Sequence, residues 1–143
     1  MHVSFALFAD AANLSQEGKL NVLGVFDAVH AAGFPSLHPR ATVVVRLKGT
    51  AGDAGVHTMG LRWLSPRGEE LWSSTAELTV GTPPGHVGEL DMPLIAAVDL
   101  PLDGPGLFRM LVELDGAVRS EVPLHVHGTV PLPQPRATSG LVS

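Results

Sequence analysis

Short runs in which every second residue is apolar recur along the whole chain, each bounded by Gly, Pro, Asp or Ser. No long apolar stripe with a 3.6-residue period competes with them. A strand turns successive side chains to opposite faces, so this spacing predicts antiparallel β architecture. The runs read as Val3 to Ala9, Leu20 to Phe26, Thr42 to Lys48, His57 to Leu64, Leu71 to Val80, Leu90 to Leu102, and a closing hairpin. In that hairpin Phe108, Met110, Val112 and Leu114 alternate inward, Asp115-Gly116 suits a type I′ turn, and Val118, Val122, Leu124 and Val126 return inward. Pro93 and Pro101 mark the Leu90–Leu102 run as an edge or bulged strand, because proline cannot donate to a ladder. Ser15 to Gly18 reads as a turn. Phe34 to Pro39 reads as a proline-bounded connection with a short helical turn before it.

Seven or eight strands of this length predict an all-β, antiparallel two-sheet sandwich of immunoglobulin-like type, with a closed barrel as the alternative. At 143 residues the chain suits one domain with a real core. The reading places that domain at residues 1–128. The remainder, 129–143, has three prolines and few large apolar residues, and is expected to be extended or disordered. Its Pro131, Pro133 and Pro135 do not match PxxP spacing.

Composition removes several function classes. There is no cysteine, which precludes disulfides and Cys-ligated zinc or iron–sulfur sites and favours a reducing, cytoplasmic setting. The net charge is −5, with two lysines and scattered arginines, so no basic face for nucleic acid is expected. No apolar stretch approaches the roughly 18–20 residues that span a bilayer. The opening MHVSFALFADAA lacks a basic leader region and reads as the first strand of the mature protein. Charged residues make up only 16% of the chain, against about 25% in typical soluble domains. Mean hydropathy is +0.25. Either the core is unusually large or a partner covers some surface.

Catalytic signatures are weak. His125 and His127 stand at i and i+2, so both project from one strand face, the spacing used by cupin-type metal sites. No carboxylate follows Glu121, however, and alternation places both histidines on the outward face with Arg119 and Glu121. Solvated surface histidines are the plainer reading. His30, His38, His57 and His86 fall in or beside loops without ligand-like spacing. The carboxylate pairs Glu69-Glu70, Glu113 with Asp115, and Asp99 with Asp103 sit at turns or strand ends. The segments Gly81 to Gly88 and Gly104 to Gly106 lack the following helix and lysine of a phosphate cradle. Trp63 and Trp72 could stack on a sugar, but both fall on the inferred inner face. No cofactor is expected and no metal or catalytic residue is nominated.

One irregularity remains. In the first run Val3, Phe5 and Leu7 share one face while Ala6 and Phe8 occupy the other. In the second, Leu20, Val22 and Phe26 oppose Leu23 and Val25. A half-buried sandwich strand should be polar outside, and these strands are apolar on both sides. Their outer face is covered either by the chain's own Asp27–Arg40 connection or tail, or by another molecule. Phe5, Leu7, Phe8, Leu23 and Val25 are the interface candidates.

The same segments carry a resemblance. FALFADAAN, GKLNVLGVFD and FPSLHPR, within Phe5 to Arg40, resemble the opening of a bacterial domain family of unknown function with a FALLAD…GKLNILG.FD…FP..HP pattern. PLDGPGLFRMLVELDG resembles that family's closing hairpin. The resemblance implies a small, stand-alone, cytoplasmic bacterial β-sandwich and supplies no activity. The polar residues inside the matching motifs are Asp10, Asn13, Lys19, Asn21, Asp27 and His38, for which turn-forming and side-chain-to-backbone roles are expected. The functional expectation is a non-catalytic binding or assembly module that forms a homo-oligomer or meets a protein partner. A cupin-like metal enzyme using His125 and His127 is the first alternative, and a carbohydrate-binding module the second.

Overall fold

The structure is a computed structural model describing residues 1–128; the expected tail, 129–143, lies outside the described residues. Nine strands follow in order: β1 (His2–Leu14), β2 (Leu20–Phe26), β3 (Ala28–Ala31), β4 (Ser36–Gly49), β5 (Gly55–Leu64), β6 (Glu70–Val80), β7 (Leu90–Leu102), β8 (Gly106–Leu114) and β9 (Ala117–Gly128). A single 3-10 turn, Ala51–Asp53, lies between β4 and β5. The strands form two sheets, ordered β2-β1-β4-β7 and β3-β9-β8-β5-β6, packed as a sandwich rather than closed into a barrel. The β4–β7 and β5–β8–β9 neighbours repeat the B–E and C–F–G adjacencies of an immunoglobulin sandwich, to which the β1–β2 hairpin is added.

Nine strands replace the seven or eight expected. The addition is β3, which lies in the connection expected to hold a helical turn and pairs in parallel with β9. Every other ladder is antiparallel. Turn chemistry is met locally. Asp115 and Gly116 have φ of 50° and 83°, as a type I′ turn requires, and Gly18 donates to the Ser15 carbonyl at 2.9 Å. As its prolines require, β7 is an edge strand, bonded to β4 alone.

The core lies between the sheets. Val43, Val45 and Leu47 of β4 face Trp63 of β5, Phe108, Met110 and Val112 of β8, and Leu124 and Val126 of β9, all nearly inaccessible to solvent. An aromatic stack runs through its centre. Phe8 lies 5.9 Å from Phe26 and meets Trp63 edge-on at 5.9 Å, and Trp63 stacks on Phe108 at 5.3 Å. Val118, expected inward, is instead 46% exposed. The register shift between Val112 and Glu113 pairs it with Glu113 and carries it to the outer side.

Candidate interaction surface

The two sheets present different outer faces. On the five-stranded sheet charges alternate in matched pairs: Arg62 Nε lies 2.7 Å from Glu70 and its Nη1 3.7 Å from Glu113, while Arg109 lies 3.8 Å from Glu121. Leu111, the apolar residue among them, sits in register between Arg62 and Glu121 and is buried, consistent with charged side chains laying their apolar stems over it.

The four-stranded sheet carries apolar side chains across the middle of its outer face. The register Leu7↔Val44↔Ile95 and Val25↔Ala9↔Thr42↔Ala97 lines up one outer face from β2 to β7. Leu23 is 67% exposed, Val25 60% and Ile95 38%. Phe5 and Leu7 are half-buried, and Val44 and Ala9 between them are fully buried. Other exposed apolar side chains (Leu14, Leu37, Val56, Val87, Leu107 and Val118) stand singly in loops or near strand ends. Charge enters this face at its ends: at one, Arg46 Nε donates to Asp91 at 2.8 Å and Lys48 lies 3.5 Å from Glu89, and at the other Asp99 is exposed on the same alternation of β7 as Ile95 and Ala97. Each cation there has its own carboxylate.

Four of the five interface candidates, Phe5, Leu7, Leu23 and Val25, therefore share this face. Phe8 does not. It is fully buried between the sheets, because period 2 puts it on the opposite side of β1 from Leu7. Val3, grouped by alternation with Phe5 and Leu7, packs with the core, because a bulge between Val3 and Phe5 shifts its register. Ile95 and Val44 were missed. Alternation along Thr42 to Lys48 sets Val44 with Arg46 and Lys48, opposite Val43, Val45 and Leu47, but only the β1–β4–β7 pairing shows that it lies at the middle of an apolar band.

The remaining candidates are dispersed. His125 and His127 point outward from β9, and parallel pairing brings His30 of β3 against His127, ring centroids 5.1 Å apart. Among the described residues no group of three or more His, Asp or Glu is arranged to hold a metal ion. His57 has both ring nitrogens engaged: Nδ1 lies 2.7 Å from Asp115 Oδ2 and Nε2 2.6 Å from the Asp53 carbonyl. The hydrogen bond to Asp115, followed by that to Asp53, raises the His57 pKa above its ordinary value. The same His57 contact, with the Thr58 N–H that donates to Asp115 at 2.9 Å, holds Asp115 below the usual carboxylate range. A histidine bonded at both nitrogens has none left to take a proton from a substrate; this cluster ties the β8–β9 turn to β5. Asp99 accepts the Arg40 backbone N–H at 2.9 Å. Trp63 and Trp72 donate their indole N–H groups to the β7 carbonyls of Pro101 and Asp99, at 2.8 and 3.1 Å; Trp63 is fully buried and Trp72 half-buried against the core.

The motif polar residues lie at local contacts of the β1–β2 hairpin and the strands beside it. Asn21 donates to Asn13 across the β1–β2 hairpin at 3.0 Å, the Lys19 N–H donates to Ser15 Oγ at 3.0 Å, and the Asp27 carbonyl accepts the His125 N–H at 2.8 Å. His38 packs its ring 5.5 Å from Phe26. Asp10 sits over Gly24, where a Cβ would lie 2.2 Å from Oδ2. No described helix is long and apolar enough to cross a membrane. A search of curated proteins finds no match. A family model does match, over residues 4–127, and the chain belongs to that family, a family of unknown function (DUF6941).

Proposed function

We propose that the chain is a non-catalytic assembly module that self-associates through the outer face of its four-stranded sheet, in a reducing, cytoplasmic setting. The observation that carries this reading is the contrast between the two outer faces: one is laced with ion pairs, the other carries Leu23, Val25 and Ile95 exposed around Phe5 and Leu7. Large apolar side chains exposed together on one sheet face mark interaction sites. A second copy of the same face is the occupant that the charges favour. Arg46 is paired with Asp91 and Lys48 with Glu89, so these cations bring no unpaired positive charge to a contact between two copies about a two-fold axis. The compartment rests on the lack of cysteine.

That same lack makes a clean test, since a single introduced thiol is the only one present. Under mild oxidation Leu23→Cys is expected to give a covalent dimer rapidly and at low protein concentration, while Glu121→Cys on the other sheet does not. Equal cross-linking at both positions would contradict the proposal.

A further inference from the structure

The two sheets do not close against each other along the β6–β7 side. Ser74 and Ala76 of β6 stand in register with Leu61 and Met59 of β5, and therefore point toward the other sheet. Both are nevertheless solvent-exposed. Opposite them lie Leu94 and Ala96 of β7, paired with the core residues Val45 and Val43. Between these strands is an open slot of about 200 Å³, with Val43, Val45 and Leu61 at its back. The slot opens to solvent past Ser74 and Ala76 while its back is formed by core side chains, so a small apolar occupant would remove apolar surface from water there.

The slot has defined ends. At one, Trp72 reaches from β6 across the gap and donates to the Asp99 carbonyl of β7 at 3.1 Å. At the other, Val80 and Leu90 are buried on either side of the 81–89 connection, which joins the two strands directly. Large side chains thus pin the edges at both ends, and the strands stand apart where β6 carries Ser74 and Ala76. The lining has no charged group, and its polar side chain is the Ser74 hydroxyl.

We infer that this slot binds a small uncharged apolar molecule, an aromatic ring or short alkyl chain carrying at most one hydroxyl-sized polar group that Ser74 can hydrogen-bond. A dry apolar cavity of roughly 150 Å³ already holds benzene, so the volume suits such a ligand. The closed ends disfavour an inserted peptide strand, which needs an edge free along its length. The site lies between the sheets, and only Ile95 at its mouth also belongs to the outer face of the four-stranded sheet.

The test is titration of the isotopically labelled full chain with benzene and with 1-hexanol, followed by methyl NMR. Saturable shifts are expected at Val43, Val45, Leu61 and Leu94, and not at Leu23 or Val25. Ala76→Leu fills the slot and is expected to weaken binding about tenfold or more while the other methyl signals stay in place; Ala96→Leu, from the facing strand, does the same if the first variant fails to fold. Non-saturable shifts, equal shifts on the outer face, or undiminished binding in a folded filled variant would overturn the inference. So would amide shifts along β6 and β7 with a short alternating Val–Thr peptide when neither small probe binds, because that result means strand capture.

Discussion

At His57 one side chain fixes a pH dependence for the whole fold. With acceptors at both ring nitrogens, Asp115 Oδ2 and the Asp53 carbonyl, only the imidazolium can donate to both. Its folded pKa is raised, so its stabilisation is fully present below the ordinary histidine pKa and is lost as pH rises through the folded value. Asp115, held low, contributes above the ordinary carboxylate pKa and loses that contribution as pH falls through its own folded value. The pair therefore acts between those limits. Thermal unfolding followed from about pH 6 to about pH 9 is expected to show a fall in midpoint for the wild type that is much reduced in His57→Gln. Parallel curves would contradict the assignment. Sequence alone placed His57 at the start of a strand and Asp115 in a turn, but their meeting depends on the β5–β8 pairing, which brings together residues 58 positions apart.

The β1–β2 hairpin is the element that carries both the family motif and the apolar face. Its β2 limits, its turn and its lack of a polar side were legible because the apolar run Leu20 to Phe26 is bounded by the Ser15 to Lys19 turn and by Asp27. Which side faces the core was not. Period 2 sorts residues into two sets, and with both sets apolar nothing local says which one the other sheet covers; Phe8 was grouped with surface candidates for that reason. Strand β3 escaped notice because Ala28–Ala31 has only four residues and its partner, β9, lies about a hundred positions on in the chain. Within the hairpin Gly24 has φ of 69° with the Asp10 carboxyl against it. Gly24→Ala must hold a left-handed backbone with a side chain and displace that carboxyl. Chemical unfolding is expected to show a loss of about 1–2 kcal/mol. A variant as stable as wild type would mean that the bend at this position is not required.

For the whole molecule, the low charged fraction and high mean hydropathy left two explanations open, an unusually large core or a covered surface. The core is ordinary in kind, a single inter-sheet layer with an aromatic stack at its centre. Much of the apolar excess lies elsewhere, on the outside of the four-stranded sheet and in the slot beside it. Hairpin turns and the edge status of β7 could be read from local pattern. The apolar band could not, since it runs across β2, β1, β4 and β7 and exists only once those strands are paired. Self-association through that band is the central claim, and the molar mass in solution measured by light scattering tests it most directly. The wild-type chain is expected at a multiple of 15.0 kDa, and Leu23→Glu with Val25→Glu, exposed positions where substitution costs the fold only about 0.5 kcal/mol, at the single-chain mass. A wild type that stays at 15.0 kDa up to the highest attainable concentration, or a double variant that keeps the wild-type mass, would contradict it.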